Sequence, residues 1–381
     1  MELTLQKPIA ARTATGALFF VMGAGFASWA SRIPDIQERL NLNAAQLGGI
    51  LIGMPVGSLL SLLVTGALVT RLGSRTVALV TMLLYAATLP AIGWASSAWQ
   101  LMAVLFVFGT CGNILNISLN TQGVGIESLW GKPILSSFHG LWSLGAMAGA
   151  AFGGLMVSQG TVPFQHFLLV GSVILASGLI AYRFMLRTDR QPDEKQPLFA
   201  LPDRPLMLLG LIAFGCMLTE GAMADWSGIY YKQTLHGLGV ATTGYTAFTF
   251  TMAVGRFGGD GLAARFGIRI LLQVSGLLIA LGLGLALLLP IPAVVVTGFM
   301  LVGLGVASVV PLVYSVAGRS QTMSAGLALT AVSTVGYTGF LLGPPLIGFL
   351  AEAFSLRRAL LVVVVLGVVI TALAGRVKTR G

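Results

Sequence analysis

Apolar runs of about twenty residues, each closed by a short polar stretch, follow one another from one end of the chain to the other. A run of that length, wound as a helix, matches the hydrocarbon thickness of a bilayer. Twelve such runs are read, at 10–31, 46–70, 76–95, 99–125, 137–158, 165–186, 206–230, 243–264, 270–290, 293–317, 325–351 and 357–375. One stretch breaks the rhythm: residues 187–205 (RTDRQPDEKQPLFALPDRP) are charged and Pro-rich, and they divide the spans six and six. The pattern predicts an all-α polytopic membrane protein with a six-helix bundle over 1–186, a linker over 187–205 and a second six-helix bundle over 206–381.

The polar stretches repeat as well. RLGSR at Arg71 to Arg75 recurs as RFGIR at Arg265 to Arg269, 194 residues on, and each copy joins two apolar runs. The repeated unit is therefore a group of membrane spans rather than a turn. At the same offset FGTCGNILNISLN from Phe108 matches VGLGVASVVPLVY from Val302 in its small residues, pairing Gly109 with Gly303. At an offset of 190, Gly149 pairs with Gly339 and Gly153 with Gly343. Trp29 in ASWAS likewise answers Trp226 in ADWSG, which assigns the first run to the architecture although two basic residues before it imitate a secretory leader.

Composition agrees with lipid as the solvent. Hydrophobic residues make up 56% of the chain and charged residues 9%, against about 25% charged in soluble domains. Mean hydropathy is +0.91. Among the 50 glycines, Gly145, Gly149 and Gly153 stand at the four-residue spacing that lets helices approach closely in a bilayer. The net charge of +10 sits in short loops, where anionic headgroups are the expected partner and nucleic acid is not. Arg32, Arg39, Lys232, Arg357 and Arg358 fall on one side and Arg256 within a run, leaving the other sixteen Lys and Arg on the opposite side. The positive-inside rule then predicts cytoplasmic N and C termini. Cys111 and Cys216 both fall inside runs and read as packing residues.

Parallel six-helix halves are the plan of the major facilitator superfamily, and the chain resembles that family over essentially its whole length. Gly66, Arg71, Gly73 and Arg75 resemble the family's loop between the second and third helices, with Thr70 where an acid is usual. In the second copy, GRFGGDGLAARFGIR, Asp260 stands one turn before Arg265. ASWASRIPDI, FHGLWSLG, TEGAMADW, VGRF and GYTGFLLGPPLIG further resemble the YbjJ-like bacterial inner-membrane branch near the fucose permeases. That resemblance implies a secondary transporter in a bacterial inner membrane, working with protons and a small-molecule solute, as a monomer in the bilayer.

Ionisable groups within membrane spans are costly and point to function. Glu220 lies 14 residues after Leu206, roughly 21 Å up the seventh span, and is the candidate for proton coupling and for substrate contact. Asp225 and Trp226 follow near the outer end, either as substrate contacts or as ordinary interfacial residues. Asn113, Asn116 and Asn120 share one face of the fourth span, where they either line a polar cavity or bind helices together; Gln122 extends that polar run. Trp142, Phe138, Tyr245, Tyr314 and Tyr337 are candidates to stack on a ring or to pack. Arg71, Arg75, Glu127, Arg256, Asp260, Arg265 and Arg269 are read as a latch near the inner face, and Arg32 with Asp35 as an opposing outer gate. His139 opens the fifth span.

No enzyme constellation, metal spacing or GxxxxGK[ST] loop is present, so no cofactor is expected and transport draws on a gradient. The function expected is proton-coupled transport of a small polar organic solute, sugar-like in kind, by alternating access. The alternative is proton-driven efflux of a drug or hydrophobic metabolite. It draws on GAMAGAAFGG at Gly145, which resembles an antiporter motif with Ala150 in place of its Pro. A transport-dead sensor would lose the deep acid.

Overall fold

The structure is a computed structural model that describes residues 8–130, 134–187, 203–235, 241–318, 320, 323 and 325–377. Among these every regular element is an α-helix. In chain order they are α1 (Pro8–Ser31), α2 (Ile33–Arg39), α3 (Ala44–Leu51), α4 (Gly53–Leu72), α5 (Ser74–Trp94), α6 (Ala98–Trp130), α7 (Leu135–Ser158) and α8 (Pro163–Tyr182). They continue as α9 (Arg204–Leu235), α10 (Ala241–Phe266), α11 (Ile268–Leu288), α12 (Pro292–Ala307), α13 (Val309–Ala317), α14 (Ala325–Ala353), α15 (Leu356–Ala359) and α16 (Leu361–Ala374). Eleven helices among the described residues are long and apolar enough to cross a membrane. The run expected at 243–264 coincides with α10, which is 26 residues long but carries Arg256, Asp260 and Arg265 and falls short in hydropathy. The expected second and tenth spans are each two helices in succession, meeting at Ile52 and at Ser308.

Two compact units emerge. The first holds residues 1–40 and 53–193, the second 41–52 and 194–381. The break in the chain's order is α3, which packs on α14 of the second unit: Ala44 N–H donates to Glu352 Oε2 at 3.1 Å, and a Cβ on Gly48 would meet the Pro344 carbonyl at 2.7 Å. Most of the expected linker, 188–202, lies outside the described residues.

Within each unit the packing follows the sequence offsets. In the first, α1 lies on α7 with Gly149 against the carbonyl of Ala24; in the second, α9 lies on α14 with Gly339 against the carbonyl of Phe214. Both members of that contact are displaced by 190. Gly109 of α6 abuts the Met54 carbonyl of α4, and Gly303 of α12 abuts the Phe248 carbonyl of α10, both displaced by 194. Close backbone approach of this kind replaces the hydrophobic drive that lipid cannot supply.

The two basic turns share a backbone as well as a sequence. Gly73 has φ 78° and ψ 143°, Gly267 φ 84° and ψ 148°, a region open essentially to glycine alone. Each glycine ends one helix and starts the next without a side-chain cap.

Candidate functional site

The second unit gathers polar side chains from four helices. α9 runs from Arg204 to Leu235 and α10 returns from Ala241, so a residue about fifteen positions before the end of α9 stands level with one fifteen positions into α10. Glu220 and Arg256 occupy those places, and Arg256 Nη2 meets Glu220 Oε1 at 3.4 Å. Both side chains keep about a fifth of their surface exposed, 17% for Glu220 and 21% for Arg256. Arg256 is thus level with the acid, ten residues or about 15 Å from the Phe266 end, and pairs with it across the two helices. The Asp260 side chain, its other expected partner, lies outside the described residues.

Two tyrosines border the pair, and a third stands behind one of them. Tyr245 of α10 is buried, within reach of both Glu220 and Asp225. Tyr337 of α14 also feels Glu220 and is 42% exposed. Tyr314 of α13 accepts a hydrogen bond from Ser333 Oγ at 2.9 Å and neighbours both Tyr337 and Cys216. An ion pair and phenol hydroxyls on converging helices form a group able to hold a solute rich in hydrogen-bonding atoms.

Asp225 is buried at 5% exposure, and among the described residues it makes no hydrogen bond and no ion pair. Ten residues of α9 follow it, about 15 Å of helix. Trp226 beside it is wholly enclosed, with no acceptor for its Nε1–H among the described residues. It is a core residue and presents no face to a solute. Trp29 in the first unit is enclosed in the same way.

In the first unit the three amides of α6 separate. Asn113 Nδ2 donates to the Ser58 carbonyl at 3.0 Å and to Ser61 Oγ at 2.8 Å, which binds α6 to α4. Asn120 Nδ2 donates to Asn116 Oδ1 at 3.1 Å and to the Asn116 carbonyl at 2.9 Å, while its Oδ1 lies 3.2 Å from His139 Nε2. Asn116, Asn120 and the exposed His139 therefore form one polar group across α6 and α7, edged by the ring of Phe19. Trp142, half-buried, lies against Phe26, whereas Phe138 is buried and stacked on Phe19. Gln122 is sealed: its Nε2 donates to Ser74 Oγ and the Leu186 carbonyl, and its Oε1 accepts from Leu186 N–H.

The charges read as gates have other partners. Glu127 Oε2 accepts from the N–H groups of Ile134 and Leu135 at 2.7 and 3.1 Å, and so caps the start of α7 rather than meeting Arg71 or Arg75. Arg75 Nε donates to the Tyr182 carbonyl at 2.8 Å and its guanidinium stacks on that ring, which closes the end of α8. Arg39 does the same for α5 through the carbonyls of Gly93 and Ala95. Arg71, Arg265 and Arg269 are exposed and have no acidic partner among the described residues; Arg265 lies over Phe266.

Arg32 is not a solvated gate charge. It is 2% exposed, with Nη1 on Asp35 Oδ2 at 2.6 Å, Nη2 on the Thr161 carbonyl at 2.7 Å and Nε on His166 Nδ1 at 3.2 Å. The sequence reading omits His166, which is buried with Phe152 and Phe167 against its ring. Its only sequence signal is a polar residue four positions into a helix opened by Pro163. All four residues belong to the first unit, where they tie α1, α2 and the start of α8.

Comparison with known proteins bears on the whole arrangement. The family model described as Major Facilitator Superfamily matches residues 14–325. An uncharacterized MFS-type transporter of Yersinia pestis is 33% identical over 381 residues, covering 100% of this chain and 98% of its own. Membrane protein MosC of Rhizobium meliloti is 34% identical over 361 residues, covering 94% and 88%. Among solved structures, the nucleoside transporter NupG superposes with a TM-score of 0.77 at 13% identity, over 96% of this chain and 98% of that one. A bacterial homolog of the human lysosomal transporter Spinster, inward-facing and occupied, gives 0.75 at 17% identity over 96% of each chain. At such identities the two structures speak for the fold alone.

Proposed function

The chain belongs to the Major Facilitator Superfamily, and from that premise we propose that it is a proton-coupled secondary transporter of a small polar organic solute, working by alternating access. The observation that carries this reading is the Glu220–Arg256 pair bordered by Tyr245 and Tyr337, with Tyr314 beside Tyr337. A hydrophobic cargo has no use for a paired guanidinium and carboxylate, whose desolvation is costly unless a ligand engages them. Solutes with several hydroxyls suit the site: Arg256 and the phenols donate, Glu220 accepts. A sugar or a nucleoside fits that description, and a nucleoside is what NupG is named for. The proposal extends to twelve spans in two parallel halves, to the YbjJ-like branch, to cytoplasmic termini in a bacterial inner membrane and to a monomer.

Purified protein in proteoliposomes should take up labelled monosaccharides or nucleosides against their gradient when the outside is acid, and a protonophore should abolish the accumulation. Arg256→Ala and Glu220→Gln should each remove uptake and counterflow, since both lose solute binding. Full uptake by both variants, or uptake indifferent to the proton gradient, would overturn the reading. Extrusion of hydrophobic dyes in its place would favour efflux.

A further inference from the structure

We propose that Asp225, rather than Glu220, is the group that binds and releases the coupled proton. This goes beyond the transport reading and concerns a residue for which that reading needs no role. The two acids stand five residues apart on α9, about 7.5 Å along the axis, but in different electrostatic surroundings. Glu220 has a guanidinium at 3.4 Å to face its carboxylate. Asp225 has neither cation nor hydrogen-bond donor among the described residues and is 5% exposed.

The elements packed on α9 are α10, α12, α13, α14 and α16. Their titratable residues are Tyr245, Arg256, Asp260 and Arg265 on α10, Tyr314 on α13, and Tyr337 and Glu352 on α14; α12 and α16 have none. Of the cations, Arg256 is at the level of Glu220 and Arg265 two to three turns beyond it. On α9 itself Lys232 comes seven residues after Asp225, about 10 Å further along. Tyr245 is the one group whose interaction with Asp225 the structure shows, and a neutral phenol does not balance a charge.

An isolated carboxylate in such surroundings takes up a proton instead of remaining charged. The step is a simple exchange: a proton from bulk water adds to a carboxylate oxygen of Asp225 and returns to water when the helix environment around it rearranges. Glu220, locked to Arg256, then serves the solute while Asp225 serves the ion. Two functions that the sequence assigns to one acid are divided between two.

Infrared spectroscopy of the purified protein in liposomes, with no solute added, tests the assignment. At neutral pH the wild type should show the carbonyl stretch of a protonated carboxyl, which disappears under alkaline conditions. Asp225→Asn should lack the band and Glu220→Gln should keep it. A wild type without the band overturns the assignment, whether or not Asp225→Asn can be purified. Loss of the band in Glu220→Gln, or its survival in Asp225→Asn, overturns it too. Because no solute is present, absence of the band leaves the transport reading standing, and failure of solute uptake leaves the band to be judged by itself.

Discussion

Arg32→Met should cost the protein about 3–5 kcal/mol, the range observed when one partner of a buried ion pair is removed. The methionine keeps most of the stem but deletes three donations at once. The bond to Asp35 counts least, because the Asp35 side chain is 23% exposed and water takes over part of its charge; about 1 kcal/mol is reasonable there. Of the other two partners His166 is enclosed and Thr161 is part-buried. His166 is 0% exposed and its Nδ1 loses its only donor shown, as does the Thr161 carbonyl at 2.7 Å; each bond from a charged donor is worth about 1.5–3 kcal/mol. A loss of 4 kcal/mol lowers the ratio of folded to unfolded protein by about three orders of magnitude. Reversible unfolding in mixed detergent micles containing SDS measures it. Arg32→Lys should fall between the two, since an ammonium cannot serve three divergent acceptors as a guanidinium does. Adding His166→Phe to Arg32→Met should recover part of the loss by removing the orphaned acceptor. A loss below about 1 kcal/mol for Arg32→Met would show that the guanidinium is hydrated in the native protein, contrary to its enclosure.

Two further outcomes follow from the backbone and the sealed amide. Gly73→Ala and Gly267→Ala should each lower stability by about 1–3 kcal/mol, and by similar amounts, because both positions hold φ near 80° with ψ near 145°; unequal thermal shifts in the two variants would argue that the turns differ in strain. Gln122→Leu should cost about 1–3 kcal/mol by leaving the Leu186 N–H without its acceptor, and hydrogen exchange at Leu186 should quicken; unchanged exchange there would mean that another acceptor replaces the amide.

The helices and their pairing were legible because lipid leaves the chain few alternatives. An apolar run must become a helix, and paired small residues such as Gly149 and Gly339 mark where helices approach closely. The site was half legible. Glu220 stood out as an acid deep in a span, but its partner did not, since the level of Arg256 depends on where α9 ends and α10 begins. Asn113 and Asn116 share a face at helical spacing, and spacing alone does not tell which of them meets Ser58 and Ser61 on α4. Glu127 was rightly placed at a helix end, yet its partners are backbone N–H groups, which every sequence contains and none advertises. His166 gave no periodic signal at all.

The helix ends closed by distant side chains restrict how this protein can change. Arg75 counts among the sixteen basic residues that set the predicted orientation, and its guanidinium also terminates α8 at Tyr182. On the proposed topology the same charge is read twice, by the insertion machinery while the chain is being threaded and by a helix terminus once the bundle has assembled. Moving it to another loop would preserve the first reading and abolish the second. Exposed charges such as Arg71 carry no such double duty, so drift in loop charge, and any engineered reversal of topology, has room at Arg71 and little at Arg75.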